Sequence, residues 1–410
     1  MESSVNGTVG VDHSINRRIT DIDALRGFAL LGILVVNISY IASPHHFRGA
    51  PDPTAADPLD HAVRWLVVAG FETKFYLLFS FLFGYSFTLQ LRSAERVGAS
   101  FAPRFLRRLS GLFVLGTLHA VLLFPGDILT LYALLGLVLL ALRRITSQRA
   151  LNLALVVTVL SAAAFACLGV VLAATGYDGS DVYAQPEAER ALHDLRGGVG
   201  SVIATHLAQL PIAVTAIVFG QAPVALAAFL VGFAAGTRRI FDNPGRVQQW
   251  SRKLRTIGYP IGATGALVYA WASVTHPGAA AEAFAFAVDV VTAPLLAAAY
   301  ASTVVHALHT SRGSRLAALL APAGRMSLSN YLGQSVANVL LFTGIGFGLA
   351  GRLGPASLLA VALLIYAAQV GLSRWWMRRF QYGPLEWVLR SWTTLALPRL
   401  RRDPPVVIKE

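Results

Sequence analysis

Apolar runs of roughly 15 to 25 residues recur from one end of this 410-residue chain to the other, separated by short polar segments. A helix needs about 20 residues to cross some 30 Å of hydrocarbon, and in lipid it also satisfies its own backbone. With a mean hydropathy of +0.59 and 13% charged residues, the chain is too apolar for ordinary soluble domains. The expectation is an all-α, polytopic membrane bundle of about ten helices, near 24–42, 75–91, 109–124, 128–142, 151–174, 220–237, 256–275, 283–305, 326–348 and 357–373. The first run follows a polar start, exceeds the length of a signal core and lacks a small-residue cleavage site, so it reads as a span.

The net charge of +13 is a matter of topology. Ten crossings put both termini on one side, and the segments on that side hold 28 of the 34 Lys and Arg. The positive-inside rule makes that side cytoplasmic, with anionic lipid rather than nucleic acid as the partner of the basic residues. The organisation is then a tail over 1–23, one membrane domain over 24–373 with halves at 24–174 and about 220–393, and a basic tail over 374–410. "HAVRWLVVAGF" reads as an interfacial helix. The apolar stretch 199–220 reads as a re-entrant or interfacial helix, because a full crossing there would place Arg238 and Arg239 outside. The single cysteine, Cys167, sits in an apolar run and excludes a disulfide framework.

The polar residues inside the spans are the candidates for function. "FPGDILTLYALLG" places Asp127 directly after a Pro-Gly turn, where its carboxylate caps the following helix. His119 lies eleven residues, about 16 Å, beyond Arg108, at the same depth as Asn37 beyond Arg26. An imidazole and a carboxylate at such depth are costly, and a carboxylate is the usual partner that orients a catalytic histidine. Glu72, Lys74 and Tyr76 form a second polar set, which reads equally well as an interfacial belt. "GRMSLSNYLGQSVAN" lines one helix face with Ser327, Asn330, Tyr331, Gln334 and Asn338, suited to a pocket or to bonding between helices. The other histidines lack metal-ligand spacing, no metal is expected, and no phosphate loop, GxSxG elbow or zinc-protease motif is present.

Five segments carry a resemblance: "DIDALRGFALLGILVVNI", "KFYLLFSFLFGYSF", "GTLHAVLLFPGDILTLYALLG", "GRMSLSNYLGQS" and "FQYGPLEWVLRSWT". In this order they resemble the YeiB-like bacterial inner-membrane proteins, whose C-terminal half is the DUF418 domain of unknown function. More distantly, the first span resembles the transmembrane acyltransferases, including heparan-glucosaminide acetyltransferase and the acyltransferase-3-like enzymes of envelope sugars. That resemblance implies transfer of an acyl group from a cytoplasmic acyl-coenzyme A to a small-molecule or envelope-glycan acceptor outside. His45 and His46 fall where the lysosomal enzyme carries its histidine, but the YeiB-like pattern fixes none there. His119, oriented by Asp127, is therefore the expected base. Arg26, Arg107, Arg108 and Arg325 are the expected donor-binding cations. Asn37, Glu72, Lys74, Tyr76, Tyr132, Asn330, Tyr331 and Gln334 are the expected substrate contacts. The alternative is a proton-coupled transporter using His119, Asp127, Glu72 and Asn37.

Overall fold

A computed structural model describes residues 5–402 except 56, 97, 99, 180–183 and 243; of residues 5–19 and 244–247 it describes the backbone alone. The described chain is helical, in the order α1 (Val5–Ala42), α2 (His45–Arg48), α3 (Pro58–Gly70), α4 (Lys74–Arg96), α5 (Phe101–Leu122), α6 (Leu129–Ala141), α7 (Ser147–Thr175) and α8 (Ala184–Leu195). There follow α9 (Val199–Thr215), α10 (Ala222–Thr237), α11 (Pro244–Thr275), α12 (Ala280–Leu308), α13 (Gly313–Arg325), α14 (Ser327–Phe342), α15 (Pro355–Arg379) and α16 (Pro384–Thr394).

Among the described residues, seven helical stretches are long and apolar enough to cross a membrane, counting Pro58–Arg96 and Val199–Thr237 each as one run. They make the protein a multi-pass membrane bundle. The three other expected crossings coincide with α6, α11 and α14. "Inner" and "outer" below follow the side assigned by the positive charges. Two boundaries differ from expectation. Helix α1 is continuous from Val5, so much of the expected polar tail is helical. Helix α5 is 22 residues long rather than a short crossing, and the short member of the hairpin is α6, with 13 residues or about 20 Å.

Helix α9 runs through a π-helical turn at Ala216–Gln221 into α10. It packs on α2, α8 and α5, and His206 hydrogen-bonds the Val121 carbonyl at the outer end of α5. These neighbours are elements that the charge pattern assigns to the outer side. Helices α1 and α13 cross backbone to backbone at Gly27 and Gly324. A Cβ on Gly324 would overlap the Asp23 carbonyl, and one on Gly27 the Leu320 carbonyl. Small residues at such crossings are how membrane helices pack without a hydrophobic drive between them.

Candidate functional site

The Pro125-Gly126 turn is the structural pivot. Helix α5 ends where the N–H groups of Leu123 and Phe124 both bond the His119 carbonyl, and Pro125 cannot continue it. Asp127 follows, and its Oδ2 accepts the Thr130 amide at 2.7 Å, as a capping carboxylate should. Its other oxygen, Oδ1, lies 2.9 Å from His119 Nδ1. The two elements approach closely because residue 116 is glycine; a Cβ there would strike the Asp127 carboxylate. His119 Nε2 meets Ser335 Oγ on α14 at 2.8 Å, closing an Asp127–His119–Ser335 chain that is almost wholly buried. With Nδ1–H donating to the carboxylate, Nε2 is left to accept the serine hydroxyl.

Both ring nitrogens of His119 are thus engaged, and the residue lines none of the cavities described below. Its ring sits between two walls, 6.2 Å from the Phe124 ring and 5.0 Å from the Tyr331 ring. Phe124 lines an outer cavity and Tyr331 an inner one.

The outer cavity, about 560 Å³, is walled by Asn37, Tyr40, His46, Glu72, Thr73, Tyr76, Phe124, Gly126, Ile128 and Glu282, among others. A polar cavity of about 380 Å³ adjoins it and shares Tyr40, His46, Glu72, Tyr269 and Glu282. The inner cavity, about 210 Å³, is walled by Arg26, Arg108, Arg325, Ser86, Ser327, Tyr132, Tyr331 and Glu386. Ile128 lines both the outer and the inner cavity. Between them, the Tyr132 hydroxyl bonds Ser80 Oγ at 2.7 Å and the Tyr76 carbonyl at 3.1 Å. The partition is therefore one layer of side chains thick at this point.

The expected site residues divide accordingly. Asn37, Glu72 and Tyr76 face the outer cavity, while Tyr132 and Tyr331 face the inner one. Lys74 lines no described cavity and is wholly buried against Asp289 at 3.1 Å, with Thr73 Oγ1 donating to the same carboxylate at 2.6 Å. Asn330 and Gln334 bind helices together. Asn330 Nδ2 donates to the Ala323 carbonyl and Ser373 Oγ, and Gln334 Nε2 to Gln369 Oε1. Arg26, Arg108 and Arg325 converge on the inner cavity, but Arg107 points away and donates to the Thr393 carbonyl at 3.0 Å.

Sequence reasoning assigned no role to four partners, although two of them, Ser335 and Glu386, fall within the segments that carry the resemblance. Ser335 and Asp289 lie more than two hundred residues from the groups they bond. Glu386 accepts the Leu328 and Ser329 amides at 2.7 and 3.1 Å, closing the N-terminus of α14. Asp52 is the fourth. It is held by the Thr54 amide and hydroxyl, and its Oδ2 lies 3.7 Å from His46 Nδ1. Hydrogen bonds from Ser43 and Thr54 keep its carboxyl below the usual range despite burial. Burial, followed by the charge of Arg64, pushes His46 down to about 4. His45 is buried, with Nδ1 3.1 Å from Ser43 Oγ, and lines the polar cavity together with His46. The motif "PHHFRGAPDPT" held the signal, since Asp-Pro-Thr is a turn that fixes a carboxylate near the loop histidines.

A family model, "Protein of unknown function (DUF418)", matches residues 235–396. The chain is 31% identical to the uncharacterized protein YxaH of Bacillus subtilis, over 93% of this chain and 95% of that one. The chain belongs to the DUF418 family. It is also 27% identical to the uncharacterized protein YeiB of Escherichia coli, over 93% of this chain and 97% of that one. An uncharacterized 39.9 kDa protein of Bacillus acidopullulyticus is 28% identical over 97% of this chain. The YeiB-like resemblance thus holds along nearly the whole length, and it brings no activity with it.

Proposed function

We propose that this protein sits in the cytoplasmic membrane and transfers an acyl group from a cytoplasmic acyl-coenzyme A to an acceptor on the outer side. The observation that carries the reading is that an arginine-walled inner cavity and a polar outer cavity share Ile128. Arg26, Arg108 and Arg325 supply charge for the donor's phosphates. The inner cavity falls below the ~300 Å³ of a typical ligand pocket, so it takes the narrow acyl-pantetheine arm rather than the nucleotide. At the partition the thioester carbonyl comes within reach of the Tyr132 hydroxyl, whose one proton must leave the Tyr76 carbonyl to reach a developing oxyanion.

On the outer side the base is His46. It lines both outer cavities, is neutral across the neutral pH range, and has Asp52 3.7 Å from Nδ1, a gap that must close before the carboxylate can orient the ring. His119 and Asp127 enter the proposal differently from the sequence expectation. They hold the α5–α6 turn against α14 and so position the partition, because His119 has no free ring nitrogen to offer an acceptor.

The test is a thermal-stability screen of purified protein against coenzyme A and a ladder of acyl-coenzyme A esters. Stabilisation by one ester is expected, lost in Arg108→Ala and retained in His46→Ala, while transfer to an acceptor is lost in both. No shift with any ester overturns the donor site.

One observation favours a second reading, a proton-coupled transporter. The Lys74–Asp289 pair is fully buried in the membrane domain beside the outer cavity, where ionisable groups are typical of ion paths. Uptake into proteoliposomes that a protonophore abolishes would decide for it.

A further inference from the structure

A fourth cavity, about 380 Å³, shares no lining residue with the three already described. Its walls come from α4 (Leu77, Leu78, Phe81), α10 (Val224 to Ala235) and α12 (Pro294 to Val305), with Thr158 of α7 at one side. Ile240, Phe241 and Trp250 close the inner end. Eleven residues along α10 and eleven along α12 make it about 16 Å long, close to half of a ~30 Å hydrocarbon core. It therefore runs the depth of one leaflet, beginning at the inner face.

Its chemistry excludes a polar occupant. The polar wall atoms are already spent: Ser251 and Ser302 bond each other at 2.7 Å, and Thr158 Oγ1 bonds the Ala154 carbonyl at 2.9 Å. Every other lining side chain is apolar except the tip of Trp250. A cavity lined in this way excludes water and suits a hydrocarbon occupant. Its rim reaches the outside of the bundle at Val231 and Trp250, both exposed. The adjoining inner segments carry Arg239, Arg252 and Lys253, all exposed, against the single acid Asp242. Cations at the inner face attract anionic headgroups, and a tryptophan there lies at headgroup level.

We infer that this cavity is a binding site for one acyl chain of an anionic inner-leaflet phospholipid, whose headgroup rests on Arg239, Arg252 and Lys253. The site is independent of the acyl-transfer reading, because it lies on the other side of α4 from the inner cavity. Leu77, Leu78 and Phe81 line the one, and Phe79, Leu82 and Phe83 the other.

The experiment uses the full-length protein in nanodiscs doped with phosphatidylglycerol that carries a diazirine in one tail. After irradiation, the adducts are mapped by peptide mass spectrometry. Adducts are expected on the cavity walls of α10 and α12, and unlabelled phosphatidylglycerol should compete with them better than phosphatidylcholine does. Ala228→Phe and Ala298→Phe each add a ring at a half-buried wall position. Each should cut those adducts by about tenfold or more, a factor that the lost burial of about two methylene groups already accounts for. Adducts at the exposed Val159 and Leu160 of α7, which report the surrounding lipid, should stay unchanged. Wall adducts no denser than those on α7 in the wild-type protein overturn the site. Equal competition by phosphatidylcholine overturns its anionic selectivity.

Discussion

His119 shows how a membrane-buried imidazole is tolerated. It exchanges hydrogen bonds with a carboxylate eight residues away and a hydroxyl on another helix, so no polar atom of the ring faces lipid. The first partner was legible in the sequence, because a Pro-Gly turn folds residue 127 back onto the helix that carries residue 119. Ser335 was not, since no local rule connects α5 to a helix more than two hundred residues later. His119→Ala leaves the Asp127 carboxylate buried without its ring partner. Unfolding stability in detergent should fall by on the order of 3 kcal/mol, and by clearly less in His119→Gln, which keeps an amide donor for the carboxylate. Equal losses in both variants would show that the pair contributes no specific bond. His46 makes the opposite prediction. Burial holds its pKa near 4, below the ~6.5 of a free imidazole, so the fold favours the neutral ring. Its contribution is fully present above about pH 6.5 and is lost as the pH falls through 4. The wild-type unfolding temperature should therefore drop across that window, and the drop should shrink in His46→Gln. An identical pH profile in the two proteins would remove His46 from the account.

At the scale of elements, the sequence located most helices because the lipid requirement is simple: about 20 apolar residues between charged ends. It did less well where geometry depends on packing. The polar face of α14 was legible as a pattern, yet its purpose was not. Asn330 and Gln334 tie α14 to α13 and α15, while Ser327 and Tyr331 reach the inner cavity. The break between α3 and α4 was equally hidden. Thr73 adopts φ 64, a left-handed conformation unusual for a β-branched residue, and its hydroxyl is held by Asp289. Strain of this kind persists where the surroundings over-determine it, here beside the buried Lys74–Asp289 pair. Helix α14 also depends on a distant group, since the Glu386 carboxylate of α16 bonds two of its first amides and the Ser329 hydroxyl. Glu386→Ala removes that cap, and a loss of about 1–2 kcal/mol is expected, as for other N-terminal caps. Hydrogen exchange should rise first at the start of α14, which α16 packs against, and not in α7. Protection unchanged at Leu328 and Ser329 would mean that the carboxylate does not serve as the cap.

For the whole molecule, the argument turns on sidedness, because the inner arginines and the outer polar cavity acquire meaning only from the faces they open to. The charge distribution and the packing of α9 both bear on it. The charge pattern assigns Arg239 to the inner side, and contacts with α2 and α8 bring α9 alongside the loop that carries Asp52 and Thr54, which the same pattern assigns to the outer side. If α9 crossed the membrane as a separate span, its N-terminus and that loop would lie on opposite sides. The single native cysteine makes the question accessible, since Cys167→Ser yields a background without thiols. In that background, Thr54→Cys and Ser201→Cys should react with a membrane-impermeant maleimide on intact cells, and Arg239→Cys only after permeabilisation. Labelling of Ser201→Cys that also requires permeabilisation would make α9 a crossing and reverse either the outer loop or the arginine face. The two cavities that meet at Ile128 would then no longer open to opposite sides, and transfer across the membrane would lose its geometric basis.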